Sequence, residues 1–267
     1  MTSAADDGVA IESAAGALRI TLDRAERKNA LGAAAIRRIV AALEAAATDD
    51  SLRVVVLTGA GADFCAGADW VASNSAGARP RSGSLQRRVA LGAHRVIELL
   101  RAIQLPVVCG VRGYAAGLGF QMALAADFTI ASESGSFWEP FIERGFSADS
   151  GSTWLLPRLV GVARAKELLL LGRKLSAAEA AAWGLIHRVV PDSELEPAVA
   201  ALAQQLAAGP TVAIGLTKHS IHRSLELGLV EAMDGEAFAL ELSSRSSDFK
   251  EGLMAFKERR AARFEGH

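Results

Sequence analysis

Pro106-Val-Val-Cys-Gly-Val-Arg-Gly-Tyr-Ala-Ala-Gly-Leu-Gly-Phe-Gln121, continuing to Ala126 and then into Asp127-Phe-Thr-Ile-Ala131, is the stretch that organises the chain. Pro106 to Val111 is an unbroken apolar run with no polar alternation, the pattern of a strand covered on both faces. Gly113 opens a glycine-punctuated turn, and the segment becomes helical before Ala126. Asp127 to Ala131 is a strand again. A covered strand, a tight turn, a helix and a second covered strand describe an α/β architecture built on parallel pairing.

Working outward, Val9-Ala-Ile-Glu-Ser and Ala17-Leu-Arg-Ile-Thr-Leu read as an opening hairpin with Ala15-Gly16 at its turn. Leu31 to Ala47 carries helical spacing around Arg37, Arg38 and Glu44, and Arg53-Val-Val-Val-Leu-Thr-Gly59 is a short buried strand. Asn74 to Gly83, rich in Ser, Gly, Arg and Pro, reads as a mobile loop, and Leu85 to Ile103 as one helix. Beyond Val190-Pro191 the pattern is helix alone: Ser193–Ala207, Thr211–Leu227, Leu229–Leu242 and Asp248–Arg260. Gly209-Pro210 is the clearest break, which divides the chain into a core over 1–207 and a helical region over 208–267. Those last helices have more apolar surface than they can bury among themselves, so they must pack on the core, on another subunit, or on both.

The chain has 267 residues, 29 Lys+Arg against 30 Asp+Glu, and a formal net charge of −1, a balance that argues against nucleic-acid binding. No apolar stretch reaches the roughly 18 residues of a membrane span. Met1 to Gly8 lacks a basic-then-apolar signal pattern. Two cysteines, Cys65 and Cys109, make no disulfide framework, and no Cys/His spacing suggests a metal site. The expectation is a soluble, cytoplasmic protein whose two thiols serve packing.

Chemistry points first to two small-residue clusters. Phe64-Cys-Ala-Gly-Ala-Asp-Trp70 follows a strand and the turn Gly59-Ala-Gly61, and Gly113-Tyr-Ala-Ala-Gly-Leu-Gly-Phe-Gln121 joins a strand to a helix. Small residues let the backbone approach a ligand, and amides at a helix N-terminus favour an oxyanion. The spacing matches neither a P-loop nor a dinucleotide fingerprint, so each cluster alone could equally be a packing turn.

Together they carry a resemblance. Leu22-Asp-Arg-Ala-Glu-Arg-Lys-Asn-Ala-Leu31, Phe64-Cys-Ala-Gly-Ala-Asp69, Pro106 to Gly117, Leu155-Leu-Pro-Arg-Leu-Val-Gly161, Ala180-Ala-Ala-Trp-Gly-Leu-Ile186 and Phe256-Lys-Glu-Arg-Arg260 resemble, in order and over nearly the whole chain, the crotonase (enoyl-CoA hydratase/isomerase) superfamily. The resemblance implies a spiral of ββα units with a C-terminal all-helical trimerisation region. It implies a homotrimer, or a homohexamer made as a dimer of trimers. The substrate it implies is a coenzyme A thioester, with no cofactor bound permanently and no metal. Carried over by position, the backbone amides of Ala68 and Leu118 form the oxyanion hole, although Leu118 stands where glycine is commoner. Arg24, Arg27, Lys28 and Arg259 fall at positions that approach the CoA in relatives. Ala66, Asp69, Trp70 and Gly117 fall around the substrate, Trp70 as a lining residue of the acyl or pantetheine tunnel.

A hydratase of this superfamily needs two glutamates. Here the first position is Gln121 and the second is Phe141, and neither can carry a proton near neutral pH. The acid that remains at a position used by relatives is Asp149, in Ser147-Ala-Asp-Ser-Gly-Ser-Thr-Trp154. Dienoyl-CoA isomerases and ring-oxepin isomerases place a proton carrier there, and chlorobenzoyl-CoA dehalogenases a nucleophile. The alternative for Asp149 is a helix N-cap. His94 has the spacing of the dehalogenase histidine but also reads as an ordinary helix histidine; Glu139 and Glu143 flank Phe141 and would substitute for the second glutamate if the register slips, but read more simply as ordinary polar residues. The expected activity is movement of an acyl-CoA double bond, with Asp149 as catalytic residue and His94, Gln121 and Phe141 as possible accessories. A weak hydratase, an aryl-CoA hydrolase or dehalogenase, and a non-catalytic acyl-CoA-binding protein are the competing readings.

Overall fold

The computed structural model describes residues 7–69 and 81–267. Trp70 and most of the loop read over 74–83 lie outside the described residues, as does all of the N-terminal reading before Asp7.

Among the described residues nine strands fall into two sheets. The larger runs β1 (Val9–Ala14), β2 (Ala17–Leu22), β3 (Val54–Gly59), β4 (Val107–Val111), β6 (Phe128–Ser132) and β9 (Arg188–Val190), side by side in that order. The opening hairpin is antiparallel and every later pairing is parallel. The smaller sheet is β5 (Tyr114–Ala116), β7 (Ser136–Trp138) and β8 (Leu175–Ser176), and a parallel bridge from Cys65 to Ala115 extends it. Each turn of the chain thus gives one strand to the large sheet, one strand or bridge to the small sheet, and then a helix. This is the spiral of ββα units.

Both faces of the large sheet are covered, which is why its strands read as continuous apolar runs. Val55, Leu57, Val107, Cys109 and Val111 face the main core, together with α1 (Ala33–Ala46) and α3 (Ala93–Ala102). Val54, Val56, Val108 and Ile130 face the opposite way, onto Leu195, Val199 and Ala203 of α7 (Leu195–Ala207). Gly110 allows that second contact. A Cβ there would meet Val199 Cγ2 at 2.9 Å, tighter than side chains tolerate.

One expected helix is two. The run read over Leu85–Ile103 breaks at Gly92 into α2 (Ser84–Leu91) and α3, with Gly92 at φ −118° and ψ −97°. A Cβ at Gly92 would lie 2.9 Å from the Arg88 carbonyl, so this bend needs glycine. The apolar spacing continues through the break, although α2 buries no residue and only α3 turns its apolar side, Val96, Ile97, Leu99 and Leu100, into the core.

The remaining helices are α4 (Leu118–Ala125), α5 (Ser152–Leu171), α6 (Ala177–Ala182), α8 (Thr211–Ser224), α9 (Leu229–Ser243) and α10 (Ser247–Glu258). Lys218 fastens α8 to the core. Its buried ammonium donates to the carbonyls of Leu100 (2.9 Å) and Leu105 (3.0 Å) and pairs with Asp127 at 2.7 Å. α9 packs back along α8 but buries no residue fully, and Leu229, Val230, Phe238 and Leu240 are exposed along it. No single helix among the described residues is long and apolar enough to cross a membrane.

Candidate active site

Two turns meet at the junction of the sheets. The first, after β3, runs through Cys65-Ala-Gly-Ala-Asp69; the second joins β5 to α4 at Gly117. Hydrogen bonds from Cys65 N to Tyr114 O (2.8 Å) and Ala116 N to Cys65 O (2.9 Å) tie them together. Gly67, at φ +94°, has to be glycine: a Cβ would stand 2.8 Å from Ala116 O and 3.5 Å from the Leu118 nitrogen. The same spacing brings the amides of Ala68 and Leu118 to one place. Leu118 opens α4, so its N–H has no partner within the helix. In the bridge beside Ala68, the flanking Gly67 carbonyl and Asp69 amide pair with Leu31. Neither the Ala68 nor the Leu118 amide finds an acceptor among the described residues.

These amides border a cavity of about 460 Å³. Its walls include Ala66, Gly67, Gly117, Leu118, Phe141 and Asp149, with Ile36, Leu85 and Val89 from the helices opposite. The carboxyl of Asp149 is the one acidic side chain among the lining residues. The N-cap alternative for Asp149 does not hold. α5 is capped by Gly151 without a side-chain bond, and it is the backbone carbonyl of Asp149 that accepts from Ser152 N (3.1 Å) and Oγ (3.0 Å). Its carboxyl is left for the cavity. Burial pushes Asp149 above the usual carboxylate range, opposed by hydrogen bonding from Ser150, the proximity of His94, and hydrogen bonding from Gln121.

The other expected residues scatter around this centre. Phe141 is buried in the wall and Gln121 is fully buried behind it, outside the lining. His94 lines a separate cavity of about 380 Å³ that shares only Ser150 with the first. Arg24 and Arg27 do not line the cavity; both reach the buried Asp69, at 3.4 and 3.5 Å. Lys28 pairs with Asp63 at 3.8 Å and stands over the Tyr114 ring. Arg259 is the left-handed C-cap of α10. The arginines that do line the cavity are Arg37, Arg87, Arg88 and Arg144, and none has a carboxylate within salt-bridge distance among the described residues. The Arg87-Arg88 pair on a helix with an apolar side was a visible signal for them.

The reading of Glu139 as an ordinary polar residue is corrected: its side chain is only 1% exposed. Glu143 does remain exposed. An acid inside Phe137-Trp-Glu-Pro-Phe141 was the available clue. Cys65 and Cys109 are buried thiols, and burial pushes Cys65 up to about 12, so it is inert at neutral pH. Among the described residues no group of three or more His, Cys, Asp or Glu side chains could hold a metal ion.

Comparison with known proteins places the chain among relatives of known family. A 1,2-epoxyphenylacetyl-CoA isomerase of Escherichia coli strain K12 is 38% identical over 253 residues, covering 94% of this chain and 95% of the relative. A 4-chlorobenzoyl coenzyme A dehalogenase of Arthrobacter is 33% identical over 259 residues, 97% of this chain and 94% of its own. The crystal structure of an enoyl-CoA hydratase from Bacillus anthracis superimposes with a TM-score of 0.91 at 32% identity, covering 97% of this chain and all of that one. The sequence model of the enoyl-CoA hydratase/isomerase family matches residues 12–267, and the chain belongs to that family, within the crotonase superfamily.

Proposed function

We propose that this enzyme isomerises a double bond in an acyl-CoA thioester, with Asp149 carrying the proton. The observation that carries the reading is the shared cavity: Asp149 and the Ala68 and Leu118 amides, which have no acceptor among the described residues, border the same space, while the two hydratase positions hold Gln121 and Phe141. The similarity to an epoxyphenylacetyl-CoA isomerase supports it.

In the first step the Asp149 carboxylate takes a proton from carbon. The C–H electron pair moves into the thioester, and negative charge collects on the carbonyl oxygen. The Ala68 and Leu118 amides donate to that oxygen, and each such preset donor lowers the barrier by about 3 kcal/mol. In the second step the protonated Asp149 returns its proton to the carbon at the other end of the allylic system, and the electron pair leaves the oxygen. Phe141 and Pro140 give this path an apolar wall with no side-chain polar group at the second hydratase position. The unpaired arginines lining the cavity would meet the anionic CoA, and no permanently bound cofactor enters the scheme.

A second reading has one observation in its favour. His94 lies near enough to Asp149 to influence its ionisation, an arrangement suited to activating water after nucleophilic attack on an aryl-CoA. The assembly we propose is a homotrimer or a dimer of trimers, supported by exposed Phe238 and Phe256 on α9 and α10, at 78% and 85%. A monomer by light scattering at micromolar concentration would overturn it.

The decisive test follows deuterium uptake from heavy water on panels of 3-enoyl-, dienoyl- and aryl-CoA. Isomerisation moves the double bond, and it places solvent deuterium on carbon to the extent that Asp149 exchanges its proton with water before returning it, whereas aryl hydrolysis does neither. Asp149→Asn should lower kcat by at least about 10²-fold with binding nearly intact, as for a lost general base. Full turnover by that variant would reject the assignment.

A further inference from the structure

Behind the cavity wall lies a polar cluster that the proposed chemistry does not use. Gln121, on α4 one helical turn past the Leu118 oxyanion amide, is entirely buried, and Glu139, just after β7, is 1% exposed. The Gln121 amide stands between two acids. Its Nε2 donates to the Asp149 carbonyl at 3.1 Å and faces the Glu139 oxygens at 3.4 and 3.5 Å. Gln121 also lies close enough to the Asp149 carboxyl to favour its ionised form. Gln121 Oε1 is buried with no hydrogen-bond partner among the described residues. The Glu139 segment is itself pinned to the oxyanion turn, since Gly117 N donates to Trp138 O at 2.9 Å.

We propose that Glu139 is a positioning residue for the proton carrier: it holds the Gln121 amide, and the amide holds Asp149 facing the oxyanion amides. The inference rests on the reading of Asp149 as that carrier.

The cluster suits this role because Glu139 has no cation beside it among the described residues. A buried carboxylate without a counter-ion is too costly to persist, so the group takes up a proton. Burial first, and then the nearby negative charge of Asp149, hold Glu139 well above the usual carboxylate range, against the Gln121 hydrogen bond that lowers it. A neutral Glu139 still offers Gln121 an acceptor oxygen, and it adds no second negative charge to compete with Asp149. The charged groups nearby are few. His94 faces Asp149 from α3, and Lys174 and Arg144 stand over the Trp138 ring, 4.6 and 5.8 Å from its centroid. Glu139 does not line the cavity, so its effect on turnover passes through Gln121.

The same coupling predicts reciprocity. The charge on Asp149 helps keep Glu139 protonated, so removing that charge should let Glu139 ionise at lower pH.

The test combines kinetics with infrared spectroscopy of the whole enzyme. Glu139→Leu deprives Gln121 of its acceptor and should reduce kcat between about tenfold and 10²-fold while KM changes less than about twofold, the pattern of a misplaced reacting group. Glu139→Gln keeps an acceptor oxygen at the same reach and should restore kcat to within about threefold of wild type. The protonated-carboxyl stretch of Glu139, assigned by its loss in Glu139→Gln, should titrate at lower pH in Asp149→Asn than in wild type. Wild-type kcat in Glu139→Leu, or an unmoved titration in Asp149→Asn, would overturn the proposal. The infrared readout needs no turnover, so it stands apart from any failure of the isomerase reading, which would show as full activity of Asp149→Asn.

Discussion

Replacing Leu118 by proline removes the amide proposed as one oxyanion donor and little else from the backbone. Leu118 is the first residue of α4, preceded by Gly117 as N-cap, and its amide has no acceptor among the described residues. Proline is well accommodated at that helical position because no intrahelical bond is lost. Gly117, at φ 50° and ψ −120°, has no Cβ to clash with the proline ring. The change therefore deletes an N–H group at the point where negative charge would develop. Loss of one such donor costs about 10²–10³ in kcat, or about 3–4 kcal/mol. Leu118 is also buried, at 4% exposure, so the side chain must be controlled separately. Leu118→Ala keeps the N–H and creates a cavity, destabilising by about 2–5 kcal/mol while leaving kcat per folded enzyme near wild type. Steady-state kinetics on both variants, normalised to folded protein by denaturant titration, separate the two effects. If Leu118→Pro folds and turns over as fast as Leu118→Ala, the Leu118 amide is not an oxyanion donor, and the site must be rebuilt around other groups.

Other consequences follow from buried charge. Lys218→Met should destabilise the protein by about 1.5–3 kcal/mol in urea, because the partly buried Asp127 loses its cation and the Leu100 and Leu105 carbonyls lose their donor; a cost below about 1 kcal/mol would refute the anchoring role of α8. With Asp149 raised by burial, kcat should decline as pH falls through a titration above the normal aspartate range, and an acid limb at the ordinary aspartate value of about 3.9 would contradict it. Glu139 has the opposite sign from a salt-bridged acid. Its raised folded value means that stability is fully present below about pH 4 and declines as pH rises toward that value. Glu139→Gln should therefore match wild type near pH 4 and become the more stable protein in thermal melts as pH rises, and equal stability across the range would count against a buried protonated acid.

Much of the fold was written in periodicity because burial on two faces leaves a plain mark. Pro106 to Val111 reads as a covered strand for the reason that the structure shows: Val107 and Val108 point to opposite cores. The short strands of the second sheet, three residues or fewer, leave no such mark. Gly92 broke a helix without disturbing its apolar side, so periodicity alone could not reveal the bend. At the site, glycines were legible wherever they permit close approach, as at Gly67, because no other residue meets that demand. Charge was less legible. Arg24, Arg27 and Asp69 sit together in space, so cations that look available along the chain already have an acidic neighbour.

Glu139 shows why the remainder was hidden. Along the chain it is a polar residue between Trp138 and Pro140, and nothing local says whether it meets water. It meets Gln121, eighteen residues earlier on α4, which in turn holds the backbone of the loop that presents Asp149. A glutamate at position 121 would have placed a second ionisable group beside two others, at a cost in mutual repulsion. Glutamine there removes one charge and adds a donor that can reach both remaining acids. The loss of the hydratase glutamate and the burial of Glu139 are thus two parts of one electrostatic arrangement, in which Asp149 is the carboxyl that remains at the cavity to ionise.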